Sequence, residues 1–264
     1  MRKYLEVFRW SFKMQIVWRF DVAMTMLATI GRILAAWIIW RVIYSSHEYV
    51  GGFSFEAMLS YYIVSSFLAS LDFSNQISGE VSNLIKDGGF SKHMVTPMNQ
   101  LGFFSFMVAG ESAFHLGFSL AAAFFCALVF GVPITITASL AHIMAAIIMI
   151  PLGIMFMMCF QYLLGILAFR LLSIQALLFV AWHVTAFASG ALVPLALLPA
   201  SVQNVMKLLP FYHIVYLPAM LLQGRCLNDA PQGLFTLACW TAGFIILDRF
   251  SYTRLRARFE GVGI

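Results

Sequence analysis

Long apolar runs alternate with short polar segments along almost the whole chain. A helix of about 20 apolar residues crosses a bilayer, because each residue adds about 1.5 Å. The pattern predicts an all-α polytopic membrane protein with six transmembrane helices, near 22–45, 55–78, 102–130, 139–168, 175–194 and 231–250. The third and fourth runs exceed the bilayer thickness, so we expect tilt or extension beyond the membrane.

The first 20 residues show a different pattern, with apolar and charged positions separated at helical spacing. Leu5, Phe8, Phe12 and Ile16 share one face, and charged residues occupy another. This predicts an amphipathic interfacial helix on the cytoplasmic leaflet, where basic groups meet anionic headgroups. An amphipathic helix packed against a partner protein is the alternative. The charged positions are Arg2, Glu6, Arg9 and Lys13.

The segment 194–230, before the last span, is apolar but repeatedly interrupted by proline. Proline removes a backbone donor and breaks a helix interior, so one continuous span is excluded. We expect a re-entrant outer helical hairpin, which a membrane tolerates only against protein or a water-filled cavity. The prolines in and just after it are Pro194, Pro199, Pro210, Pro218 and Pro231.

Composition and charge placement support an integral membrane protein. Hydrophobic residues make up 62% of the chain and charged residues only 10%, against about 25% charged in soluble domains. The net charge of +5 does not predict a nucleic-acid partner, because most Lys and Arg lie at the termini and in alternate loops. That distribution places both termini in the cytoplasm. We expect one permease domain, 1–264, with an interfacial helix (1–20), six spans (22–250) and a basic cytoplasmic tail (251–264).

Motifs for enzymatic chemistry are absent from the sequence. It contains no GxxxxGK[ST] phosphate loop, no HExxH and no GxSxG. The four cysteines show no metal-ligand spacing. We therefore expect no catalytic site, no metal, no cofactor and no nucleotide-binding domain in this chain.

A few ionisable residues lie inside the predicted spans, where each is costly without a partner. Arg32 lies about 15–20 Å into span one, and Glu111 lies at a similar depth in span three. The two could form an ion pair, while Asp72 and Asp248 could snorkel to the cytoplasmic face. A polar pathway lining and a structural pair inside the bundle both remain open.

The polar stretch 80–100 between spans two and three predicts a helical elbow. Helix formers continue to Asp87, Gly88 and Gly89 permit a turn, and residues 90–96 can form a second short helix before Pro97. Its apolar residues predict docking against protein, although they could instead face the bilayer.

Two local patterns resemble the permease subunits of type-2 ABC exporters. The first is a basic residue and Gly followed by a proline, Ile85-Lys86-Asp87-Gly88 and then Met94 and Thr96-Pro97. The second is a Gly/Pro run, Ser189-Gly190, Val193-Pro194, Leu198-Pro199, Leu209-Pro210-Phe211, Pro218 and Gly224. The C-terminal Arg258-Phe259-Glu260-Gly261 fits as well. The predicted topology also matches, so the resemblance covers nearly the whole chain.

The resemblance implies that the elbow is a coupling helix seated on a separate ABC ATPase subunit, which binds ATP and Mg. It implies a second permease, either the same chain or a paralogue, and a pathway along spans one, two and five. The implied ATPase-coupling residues are Glu80, Lys86, Asp87, Gly88, Phe90, Lys92, Met94 and Pro97. The implied outer gate includes Pro194, Pro199, Pro210 and Phe211.

The predicted function is ATP-driven export of a hydrophobic or amphipathic cargo across a bacterial inner membrane, by alternating access. Two other classes remain open. One is an ATP-independent secondary transporter, channel or intramembrane enzyme that uses Glu111, Arg32 and Asp72. The other is a structural or signalling subunit without cargo.

Overall fold

The computed structural model describes residues 2–96, 98–131, 136–171 and 173–256, and this part of the chain is helical without a β-strand. The predicted all-α class is therefore confirmed. The α-helices are α1 (Arg2–Val17), α2 (Arg19–Ile43), α3 (Phe55–Ala69), α4 (Asn75–Lys86), α5 (Phe90–Val95), α6 (Gln100–Phe130), α7 (Leu140–Ile166), α8 (Gln175–Ala188), α9 (Ala200–Met206), α10 (Tyr216–Leu222) and α11 (Ala230–Arg256).

Four helical segments are long and apolar enough to cross a membrane: Phe20–Ile43, Gln100–Val129, Leu140–Phe169 and Leu227–Leu255. A fifth is reached if Ala200–Met206 and Pro210–Leu222, bent by 87°, count as one span. The predicted count of six is not confirmed, because α3 and α8 have only 15 and 14 residues. Such helices reach about 22 Å, short of the ~30 Å hydrocarbon core.

Local backbone signals explain why these two helices end early. After α3, the Asp72 carboxylate accepts a hydrogen bond from the backbone N–H of Ser74 at 2.9 Å. A new helix, α4, then begins at Asn75. After α8, Gly190 adopts a left-handed φ of 79°, which ends a helix with little steric cost. The helices in the predicted spans 55–78 and 175–194 therefore end at Ala69 and Ala188, before the predicted ends of the spans.

The N-terminal helix α1 packs lengthwise along α6. The Tyr4 hydroxyl accepts the backbone N–H of Asn99 at 3.0 Å, and further along Gln15 lies 3.4 Å from a ring nitrogen of His115. Gly110 sits at the closest approach, since a Cβ built there would lie 2.5 Å from the Phe8 carbonyl oxygen. The predicted amphipathic helix thus packs one face against its own chain and leaves other apolar residues exposed. Those on the helix include Leu5, Trp10 and Ile16, and Trp18 follows its last residue.

Helix α7 connects two buried clusters. One joins α4 and α5 to the start of α6 and the ends of α7 and α11, with Ile77, Phe90, Phe104 and Tyr162 among its residues. The other joins the segment 194–230 to α3, α7 and α11. Both clusters contain side chains of α7, so the elbow and the hairpin are packed on one helix.

We predict that Gly110→Ala displaces α1 from α6. The added methyl group meets backbone atoms that cannot turn aside, so we expect a loss of about 1–3 kcal/mol, typical of overpacking. Thermal melting of the purified protein should show it as a lower Tm. Gly117→Ala on the same helix is the control, because nothing lies within 4 Å of its Cβ position. An equal Tm for both variants would contradict this packing.

Candidate functional site

The elbow, defined here as α4, α5 and the turn between them, is the candidate functional site. Gly88 has φ of 72°, and its N–H donates to the Ile85 carbonyl oxygen at 3.3 Å. A residue with a Cβ is strained in this left-handed region, so Gly88 suits the turn that joins α4 to α5. The structure starts the elbow at Asn75, five positions before the predicted start at Glu80.

One face of the elbow is buried against α7. Ile77, Val81 and Ile85 are buried at helical spacing, and Gln161 of α7 donates a hydrogen bond to the Asn75 side chain. Gly165 makes the contact possible, because a Cβ there would lie 2.8 Å from that of Val81. The elbow is therefore held on α7 by close backbone approach as well as by apolar packing.

Phe90 fixes the second half of the elbow. Its side chain is 0% exposed and packs edge-on against Phe169, with ring centroids 5.4 Å apart, and against Tyr252 at 6.3 Å. Phe90 was predicted to contact an ATPase subunit, and in this chain its ring has no exposed surface to offer a partner. Met94 is half-buried beside a cavity, and Pro97 lies outside the described residues.

The opposite face of the elbow is exposed and polar. Four predicted contact residues lie on it, namely Glu80, Lys86, Asp87 and Lys92. Sequence reasoning missed others that are exposed as well. Helical spacing from Glu80 could have indicated Gln76 and Asn83, which lie four positions before it and three after it. We call the whole set the exposed stripe: Gln76, Glu80, Asn83, Lys86, Asp87, Ser91, Lys92, Val95 and Thr96.

Neighbouring residues partly desolvate two titratable groups of the elbow and shift their pKa values, although the Glu80 side chain keeps exposed surface. Desolvation raises the pKa of Glu80 and lowers the pKa of His93, since a low-dielectric surrounding disfavours the charged form. His93 packs between Phe103 and Phe104, at centroid distances of 5.2 and 5.6 Å. Glu80 is thus an acid whose charge would gain from a basic partner.

The predicted ion pair between Arg32 and Glu111 does not form. Glu111 is turned toward α1, where it accepts a hydrogen bond from Ser11 at 3.5 Å. Arg32 instead lines a cavity of about 470 Å³ together with Asp72. The three intramembrane residues are therefore divided between two places in the fold, because α1 occupies the side of α6 that carries Glu111.

Asp248 is a buried acid that the sequence did not single out as a site. The sequence left open that it snorkels to the cytoplasmic face. It is only 1% exposed, and neither carboxylate oxygen has a hydrogen-bond partner among the described residues. It borders a cavity of about 190 Å³ between the end of the elbow and α11, with Met94 and Tyr162. Its depth follows from the packing of α11 on α7, which composition does not reveal.

The predicted outer hairpin forms a bent helical segment. Pro199 precedes α9, and Pro210 begins a 3₁₀ turn. Pro194 and Pro210 are buried, whereas Pro199 is exposed. Phe211 packs edge-on against Phe156 and Phe160 of α7, at 5.7 and 5.5 Å.

An ion pair joins the end of α9 to the residues just before α11. The Lys207 ammonium lies 2.9 Å from the Asp229 carboxylate, and a ring nitrogen of His213 lies 2.9 Å from the Lys207 carbonyl oxygen. Within the described ranges, no group of three or more His, Cys, Asp or Glu residues could hold a metal ion.

Comparison with known proteins identifies the family. The family model described as “ABC-2 family transporter protein” matches residues 30–263. This range includes the elbow, Arg32 and the hairpin. A search of curated proteins found no match. Because the family model covers most of the chain, this multi-pass membrane protein belongs to the ABC-2 transporter family and is a permease subunit of an ABC transporter.

Proposed function

We propose that this permease exports a hydrophobic or amphipathic cargo with energy from ATP hydrolysed by a separate ABC ATPase subunit. The elbow would be its coupling helix. The observation that carries the proposal is the division of the elbow into two faces. One is packed tightly on α7, and the other presents the exposed stripe, which none of the described residues covers.

The packing supports transmission of a push from the elbow to the hairpin. Force on the exposed stripe reaches α7 through Val81 at Gly165 and through Phe90 at Phe169. Phe156 of α7, about 14 Å further along the helix from Gly165, contacts Phe211 of the hairpin. Closely packed elements move as rigid bodies rather than deforming continuously. Closure of the ATPase would therefore reach the outer gate through α7.

Alternating access also requires a second permease and a defined membrane side. Helix α8 exposes Phe179, Val180 and Trp182, a surface suited to lipid or to a second copy of the chain or a paralogue. Both termini and the elbow would face the cytoplasm of a bacterial cell, as the placement of Lys and Arg predicts. ATP and Mg would be bound by the partner subunit.

The ATP-independent alternatives receive little support from the geometry. A proton-coupled carrier or intramembrane enzyme would need its acids and base in one place. Glu111 lies beside α1, whereas Arg32 and Asp72 line a cavity bordered by α8. The elbow has no evident purpose in such a protein.

We predict that Glu80→Ala weakens the permease–ATPase complex. Fewer than a third of interface residues cost more than 1 kcal/mol when truncated. We expect Glu80 to be one of them, because desolvation already makes its charge depend on a partner, so retention of the ATPase during purification should fall on the order of tenfold. ATP hydrolysis by the complex in proteoliposomes should fall with it.

Glu6→Ala is the matched control for this experiment. Glu6 is another exposed acid on a surface helix, with only an exposed contact to Arg9 at 3.2 Å, which contributes little. Equal ATPase retention by Glu80→Ala, Glu6→Ala and the native chain would remove the exposed stripe as the docking surface.

A second prediction separates the two faces of the elbow. Phe90→Ala should lower the Tm strongly, since truncating a buried Phe costs about 3–5 kcal/mol. Val95→Ala should leave the Tm unchanged and reduce ATPase retention, because Val95 is 85% exposed. Melting curves and co-purification of both variants test this, and a Tm loss confined to Val95→Ala would contradict the assignment of faces.

A further inference from the structure

A cavity with a few polar groups in a mainly apolar lining lies where α2, the junction between α3 and α4, and α8 meet. It has a volume of about 470 Å³ and is bordered by Arg32, Asp72, Trp182 and Thr185 among others. A shallow, open apolar groove along α8 shares Trp182 with it and is bordered by Leu178, Phe179 and Val180. The cavity therefore adjoins an exposed apolar surface of α8.

Arg32 brings an uncompensated positive charge to this cavity. The ion pairs of the described residues are Arg9–Glu6 and Lys207–Asp229, and neither involves Arg32. Arg41, on the same helix, lies 4.9 Å above the Trp37 ring, but Arg32 has no ring contact of this kind in the described part of the chain. A guanidinium stays charged and is costly inside a membrane without an anion or water.

The other polar groups of the cavity do not neutralise Arg32. Asp72 accepts the backbone N–H of Ser74 where α4 begins, and a helix N-terminus stabilises a negative charge. A ring nitrogen of His183 lies 2.8 Å from the Phe179 carbonyl oxygen. The Thr185 hydroxyl is buried without a hydrogen-bond partner among the described residues. The cavity thus offers an anion the Arg32 guanidinium, which no ion pair in the described residues already occupies.

We propose that this cavity binds the anionic headgroup of a lipid-like cargo, a carboxylate or a phosphate, with its apolar tail in the groove along α8. Arg32 would form the paired hydrogen bonds that a planar guanidinium makes with such oxygens. The inference rests on the proposed transport function and narrows its cargo to anionic amphiphiles. Arg32 is then a specificity-determining residue rather than a structural one.

Equilibrium binding of a matched pair of probes tests the proposal. Oleate and oleyl alcohol share a tail and differ in headgroup charge, and each is titrated onto the permease–ATPase complex in phosphatidylcholine nanodiscs. We expect oleate to bind on the order of tenfold more tightly than oleyl alcohol. Arg32→Gln should abolish this preference, and Arg32→Lys should keep part of it. Melting curves verify that each variant is folded.

Arg41→Gln is the matched control, and we expect it to retain the preference for oleate, because Arg41 lies over the Trp37 ring and does not line the cavity. The proposal is overturned if the native complex binds both probes equally, or if Arg32→Gln still prefers oleate. Binding of lysophosphatidylcholine as tightly as oleate would also overturn it, in favour of a zwitterionic headgroup. None of these titrations uses ATP turnover. If an ATPase co-purifies but the permease shows no headgroup preference, only this inference is overturned. If the permease prefers oleate but binds no ATPase, only the proposed function is overturned.

Discussion

The close contact between α4 and α7 is the interaction on which the rest of the structure depends. Gly165 lets the two helices approach to a distance that any side chain there would forbid, and Phe90 of α5 is fully buried against Phe169. Because one face of the elbow is buried on α7, the opposite face is held in one orientation. Without this contact the polar stretch would be a solvated loop, able to bind a partner but unable to move the spans.

Helix α7 connects the elbow with the hairpin, because it contacts both. Its end near Gly165 packs on the elbow and its middle, at Phe156, packs on Phe211 of the hairpin. The Lys207–Asp229 ion pair joins the end of α9 to the residues just before α11. The Arg32 cavity adjoins this connection, because Met157 of α7 is among its lining residues. Under the proposed function, cargo binding and ATPase docking would bias the same packed unit, as linkage requires of a driven transporter.

Much of this arrangement follows from local sequence signals. Apolar periodicity predicted the helices, and Gly88 marked the turn of the elbow because its backbone needs a left-handed φ. Long-range packing could not be predicted in this way. The contact of α1 with α6 depends on Gly110, whose meaning emerges only when the two backbones meet. Packing of α1 on α6 also holds Glu111 away from Arg32, so the ion pair that the sequence left open does not form. Packing of α11 on α7 buries Asp248 in a similar way.

Photo-crosslinking from Asn83, on the exposed stripe, is the most direct test of the coupling role of the elbow. The chain carrying a photoreactive residue at this position would be irradiated in its native membrane and then purified in mild detergent. The account predicts a crosslink to an ABC ATPase subunit from Asn83 and none from Lys13, an exposed position on α1. A chain that purifies alone, with no ATPase crosslinked at Asn83, would contradict it.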